Sequence, residues 1–204
     1  MPNGAVLAPD VSSATRERIL DAAEWCFRRL GLARFSMGDV AAQAGLSRGS
    51  VYRYFADRQA LVDAVLERAA DRFVAASTSS VDRWPTLADQ VGEAAVFILS
   101  RRQPALFPAE EESLFATLLT ARIDGLVERW VEFWLPRLSA AEHRGEVRAG
   151  LDRRQAAEWI VRLMLSFAVM PSVSVDLDDP DAVRAFVRAH LVRGLAPADH
   201  KETP

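Results

Sequence analysis

Apolar residues recur every three or four positions through almost the whole chain, the period of amphipathic helices. The first such stretch runs from Thr15, with Ile19, Ala23, Cys26 and Leu30 on one face and Leu20 and Phe27 widening it, until Gly31 stops it. A short helix follows Ser36, a capping residue with Asp39 three places on, and Gly45 breaks it. Ser47 caps a third helix, Arg48 to Phe55, and a fourth is predicted from near Asp57 to about Ser77. Pro85 suits the first turn of a helix reaching about Arg102. Pro104 and Pro108 bound a connector, and Glu110, Glu111 and Glu112 favour the positive end of a helix, or pair of helices, up to Leu135. After a polar loop over 139–151, Asp152 caps a long helix to Met170, which Pro171 ends. Asp179 and Pro180 open a last helix closed by Gly194. Only VSVDL, residues 173–177, offers a brief strand. The fold class is therefore all-α. Residues 1–14 lack period and carry one charge, Asp10, so they read as a disordered tail. Residues 15–58 form a first domain and 59–204 a larger helical one.

Composition narrows the class. Half of the 204 residues are hydrophobic and 26% are charged, enough for an ordinary core. No apolar run reaches the ~18 residues of a membrane span, and no charged-then-apolar leader precedes Thr15. The single cysteine, Cys26, excludes an internal disulfide, which fits a reducing cytoplasm. The net charge of -3 does not advertise nucleic acid, but residues 15–58 hold eight arginines against five carboxylates. Screening limits the reach of distant charge to about 10 Å, so a local basic excess can still bind phosphate.

The segment FSMGDVAAQAGLSRGSVYRYF has the form of two helices joined by a tight glycine turn. Val40, Ala41 and Ala44 are small enough for close packing, Gly45 suits a left-handed turn, Leu46 plugs the core, and Val51 and Phe55 face inward. Arg48, Gly49, Tyr52 and Arg53 then share the outer face, which suits base edges and phosphates in a major groove. Ser36 and Ser47 mark helix starts whose free amides can meet phosphate. The same spacing also suits an amphipathic hairpin inside any helical protein, and spacing alone does not choose between them.

From Thr15 to Leu61 the chain resembles the TetR family of bacterial repressors, through Phe35-Ser36 and then DVAAQAGLSRGSVYRYFADRQAL. The resemblance implies phosphate contacts at Tyr52 and Tyr54, and base contacts at or beside Arg48, Gly49, Ser50 and Arg53. Arg58 stands where a phosphate-binding lysine is common. It also implies a homodimer on a palindromic operator in double-stranded DNA, and a C-terminal domain that binds a small inducer.

That domain holds most of the large aromatic residues. Each is ordinary core material, yet a subset lining an apolar cavity is the functional expectation, and the resemblance strengthens it. The expected lining is Trp84, Phe97, Phe107, Phe115, Leu118, Trp130, Trp134, Met164 and Phe167, with Arg122, Glu128, Arg129 and Arg162 as charges able to orient a ligand. A lipid-like or other apolar effector suits such a lining better than a sugar. Helix 152–170 is apolar nearly all round, so one side is expected to face a partner chain. Trp159, Leu163, Val183, Phe186, Val187 and His190 are the expected dimer contacts. No phosphate loop, zinc-ligand spacing or nucleophile elbow occurs, so no enzyme, metal or cofactor is expected. A DNA-binding regulator without any inducer, or an activator, remains an alternative.

Overall fold

In a computed structural model, the structure describes residues 11–31, 34–100, 123–191 and 194–196, and among these every regular element is helical. The chain divides into two compact units, 1–69 and 70–204, a later division than the one expected after residue 58.

The first unit holds α1 (Val11–Leu30), α2 (Met37–Ala44), α3 (Arg48–Tyr54) and the start of α4 (Arg58–Val81). Its core is most of the predicted face of α1, with Ile19, Ala23 and Cys26 fully buried, joined by Val40, Val51, Leu61 and Val65, whereas Leu30, expected on that face, is exposed at the helix end. Phe27 and Phe35 stack with ring centres 4.4 Å apart. α1 starts at Val11 rather than Thr15, so 11–14 are helix and not tail. The hydroxyls of Ser12 and Thr15 hydrogen-bond Tyr54, a tertiary tie that local pattern cannot report. Residues 1–10 lie outside the described residues.

The second unit holds the rest of α4, then α5 (Leu87–Ser100), α6 (Ile123–His143), α7 (Arg153–Val169) and α8 (Pro180–Phe186), which continues as a wider π-type turn over Val187–Leu191. Thr86 caps α5, accepting from the Asp89 amide at 3.2 Å, so Pro85 stands outside the helix rather than in its first turn. α6 runs through Pro136 to His143, where the sequence suggested an end at Leu135. Pro136 cannot donate to the turn below it, but Trp130, Trp134, Leu138 and Ala141 keep one apolar face across it and are all buried. Burial of that face outweighs one missing hydrogen bond. Asp152 caps α7 as expected, accepting from the amides of Arg154 and Gln155 at 3.0 Å.

α7 is not buried on every side. Ala157, Ile160, Val161 and Met164 face the core, while Trp159, Val169 and Met170 are exposed. α8 packs on α5. Gly92 permits the close approach, since a Cβ there would meet the Arg184 backbone at 3.4 Å. Glu93, buried within α5, accepts from Arg184 at 2.9 Å and Ser80 at 2.7 Å, satisfying a carboxylate that burial would otherwise penalise. VSVDL forms bends and turns, not a strand. Among the described residues, no helix is long and apolar enough to cross a membrane.

Candidate nucleic-acid interface and apolar cavity

The helix pair α2–α3 is built by local signals. Ser36 caps α2 in a full box: its Oγ accepts from the Asp39 amide at 3.3 Å, and its own amide donates to the Asp39 carboxylate at 2.8 Å. Hydrogen bonds from the Ser36 hydroxyl and amide, then the charge of Arg48, hold the Asp39 carboxyl below the usual carboxylate range. Gly45 takes the left-handed conformation at φ 63°, and the Leu46 amide reaches back to the Ala41 carbonyl at 2.9 Å. Ser47 caps α3, accepting from the Ser50 amide at 3.1 Å, and the two serine hydroxyls lie 2.9 Å apart.

This framework sorts the side chains of α3. Val51 and Phe55 are buried, while Ser36, Ser47, Arg48, Gly49, Tyr52 and Arg53 are exposed. Two guanidinium forks and a phenol thus stand over an apolar base, with Arg53 beside the Tyr54 ring at 5.6 Å; groups of this kind suit base edges and phosphate oxygens. Ser50 and Tyr54 are half-buried. The Tyr54 phenol is shifted down by hydrogen bonding, first from Ser12 and then Thr15, so it ties α3 to α1. Arg58, expected at a phosphate, also holds the fold. Its Nε donates to the Phe35 carbonyl at 3.2 Å and its guanidinium covers the Phe35 ring at 4.3 Å. Burial pushes the Cys26 thiol up, as suits an unreactive core residue.

In the second unit only part of the expected cavity lining converges. Trp130 and Met164 line a small apolar cavity of about 20 Å³ with Phe73, Ile98, Leu126, Val161, Leu165 and Ala168. Phe97 reaches it indirectly, its ring 5.4 Å from that of Phe73, which meets Trp130 edge-on at 5.3 Å. Trp134 is fully buried core and does not line the cavity, and among the described residues its indole nitrogen has no hydrogen-bond partner. Trp84 is elsewhere, under the Arg184 guanidinium at 5.4 Å. Phe107, Phe115, Leu118 and Arg122 lie outside the described residues. Glu128, Arg129 and Arg162 pair with Arg154, Asp71 and Glu158 rather than facing the cavity. Phe73, on α4, precedes every aromatic residue expected at the cavity, and its local pattern does not set it apart from core. Val161 and Leu165 were missed because α7 looked apolar on all sides and gave no face to choose.

A second, open hollow of about 300 Å³ lies on the outer side of α7 and α8. Trp159, Leu163, Phe186 and His190 line it, as do Phe167 and Met170. Phe167, expected at the ligand, lines this hollow and packs edge-on to Phe186 at 6.2 Å. Val183 and Val187, expected at a dimer contact, are 0% exposed within the chain because they face its own core. Among the described residues no group of His, Cys, Asp or Glu is placed to hold a metal ion.

Comparison with known proteins agrees with the first unit's geometry. The sequence description of bacterial regulatory proteins of the tetR family matches residues 19–65. The chain is 30% identical over 147 residues to the HTH-type transcriptional regulator AqdR of Rhodococcus erythropolis, covering 68% of this chain and 67% of that protein. Among solved structures, a TetR-family regulator from Pectobacterium atrosepticum superposes with TM-score 0.63 at 24% identity, covering 90% of this chain and 94% of that one. The TetR-family repressor AlkX of a Dietzia species, implicated in biodegradation of n-alkanes, does so with TM-score 0.56 at 25% identity, covering 94% and 99%.

Proposed function

The chain belongs to the TetR family of DNA-binding transcription regulators, which are not enzymes, and on that premise we propose that it is a homodimeric repressor, released from a palindromic operator by a small apolar effector. The observation that carries the DNA half is the exposed row of Arg48, Gly49, Tyr52 and Arg53 above the buried Val51 and Phe55. A two-fold dimer offers two such rows to two half-sites. The apolar hollow at Trp159, Leu163, Met170 and Phe186 supports a dimer contact, since exposed apolar patches of this kind mark association surfaces. Such a protein acts in the cytoplasm, where the DNA is.

The effector half draws support from the wholly apolar lining around Phe73, Trp130 and Met164, and from the similarity to AlkX, a repressor implicated in degradation of apolar compounds. Among the described residues this cavity measures about 20 Å³. Drug-sized ligands occupy roughly 300 Å³ or more, so these residues alone do not enclose one. The small cavity favours one second reading, a regulator that needs no effector. Titrating the operator complex with dodecanoate, dodecane and a hydrophobic cationic dye separates the two. Release of DNA by one of them supports the first reading. Unchanged DNA affinity at saturation with each supports the second, since a ligand with no preference between states shifts nothing.

A further inference from the structure

Gly38, in the first turn of α2, lacks a side chain where the Arg48 guanidinium rests. A Cβ there would stand 2.2 Å from Nη2 of Arg48 and 2.8 Å from its Nε and Cζ. Although Arg48 opens α3, its guanidinium therefore lies against the first turn of α2. The position is electrostatically awkward, because the start of a helix carries positive partial charge. The carboxylate of Asp39, fixed by the Ser36 amide at 2.8 Å and hydroxyl at 2.7 Å, supplies the opposing charge. Gly38 is not among the glycines with positive φ, so its backbone does not demand glycine. In a helix glycine is less favourable than alanine. What remains is the space its missing Cβ leaves for Arg48.

We propose that Gly38 is a specificity-determining position for DNA reading: by leaving that space it fixes where the Arg48 fork meets base edges, apart from the site reached by Arg53. The proposal rests on the DNA-reading function proposed above. Arg48 is the far end of a flexible side chain, so a methyl group at 38 displaces the guanidinium and leaves the helices in place.

The test selects binding sites from a random DNA pool with wild type, Gly38→Ala, Arg48→Ala and the double variant, each checked for a wild-type circular dichroism spectrum. Gly38→Ala and Arg48→Ala should both lose about tenfold of discrimination at the same base pair of each half-site. Adding Gly38→Ala to Arg48→Ala should change nothing further. Unaltered preference in Gly38→Ala overturns the proposal. So does an equal change with and without Arg48, or a Gly38→Ala chain that does not fold. A wild-type chain that enriches no sequence overturns the DNA reading itself, a distinct result.

Discussion

Arg68 in α4 reaches three carboxylates on one face of α1: Glu17 at 3.1 Å, Asp21 at 2.7 Å and Glu24 at 2.8 Å. Distance alone ranks Asp21 first, but exposure moves it last. The Asp21 side chain is 71% exposed, Glu17 52% and Glu24 only 12%. Exposed pairs are worth about 0–1 kcal/mol, and removing one partner of a fully buried pair costs about 3–5 kcal/mol. Arg68 is 16% exposed, and Glu24 keeps a second partner in Arg28 at 3.2 Å. Arg68→Met, which retains most of the stem, should therefore destabilise the first unit by about 1–2 kcal/mol, nearly all of it through Glu24. Hydrogen exchange of the α1 amides reads this directly, as an acceleration of about 5–30-fold. In double-mutant cycles Arg68 should couple to Glu24 by about 1 kcal/mol and to Asp21 by a few tenths at most. Exchange unchanged by Arg68→Met, or coupling to Asp21 as large as to Glu24, would refute the reasoning that burial outranks distance here.

Three shorter predictions follow from other sites. Phe186→Asp places a carboxylate in the apolar hollow beside Phe167, and sedimentation should show monomer or aggregate where wild type is dimeric. Arg58→Met should lower stability by about 1 kcal/mol through the lost bond to the Phe35 carbonyl. It should leave the slope of log affinity against log salt unchanged, and a shallower slope would restore Arg58 to the phosphates. Asp39 is more acidic folded than unfolded, so its contribution is present above the ordinary carboxylate value of about 3.9 and is lost as pH falls through the folded value. Melting temperature measured across that range should fall less steeply for Asp39→Asn than for wild type.

The α2–α3 motif was legible because its signals are local. Ser36 with Asp39, Gly45 and Ser47 each act within a few residues, and the inward spacing of Val51 and Phe55 leaves Arg48 and Arg53 outside. What failed was non-local. Pro136 reads as a stop, yet Trp134 and Leu138 carry α6 across it once they have a core to enter. The apolar stripe of α8 did not say which face meets its own chain, so Val183 and Val187 were expected at the partner. The second role of Arg58 was equally hidden, since only the structure brings the Phe35 carbonyl and ring to it. The space at Gly38 was invisible for the same reason: it depends on where a side chain ten residues later comes to rest.

The central claim is that the exposed face of α3 reads a two-fold DNA site. Selection from a random pool by the wild-type chain, followed by measurement of the chain-to-DNA ratio on the enriched sequence, tests it most directly. The account predicts an inverted repeat with half-site centres about 34–36 Å apart, or a multiple of that helical turn, bound by an even number of chains. An enriched site without two-fold symmetry that is bound by a single chain would contradict it, as would a pool that stays random.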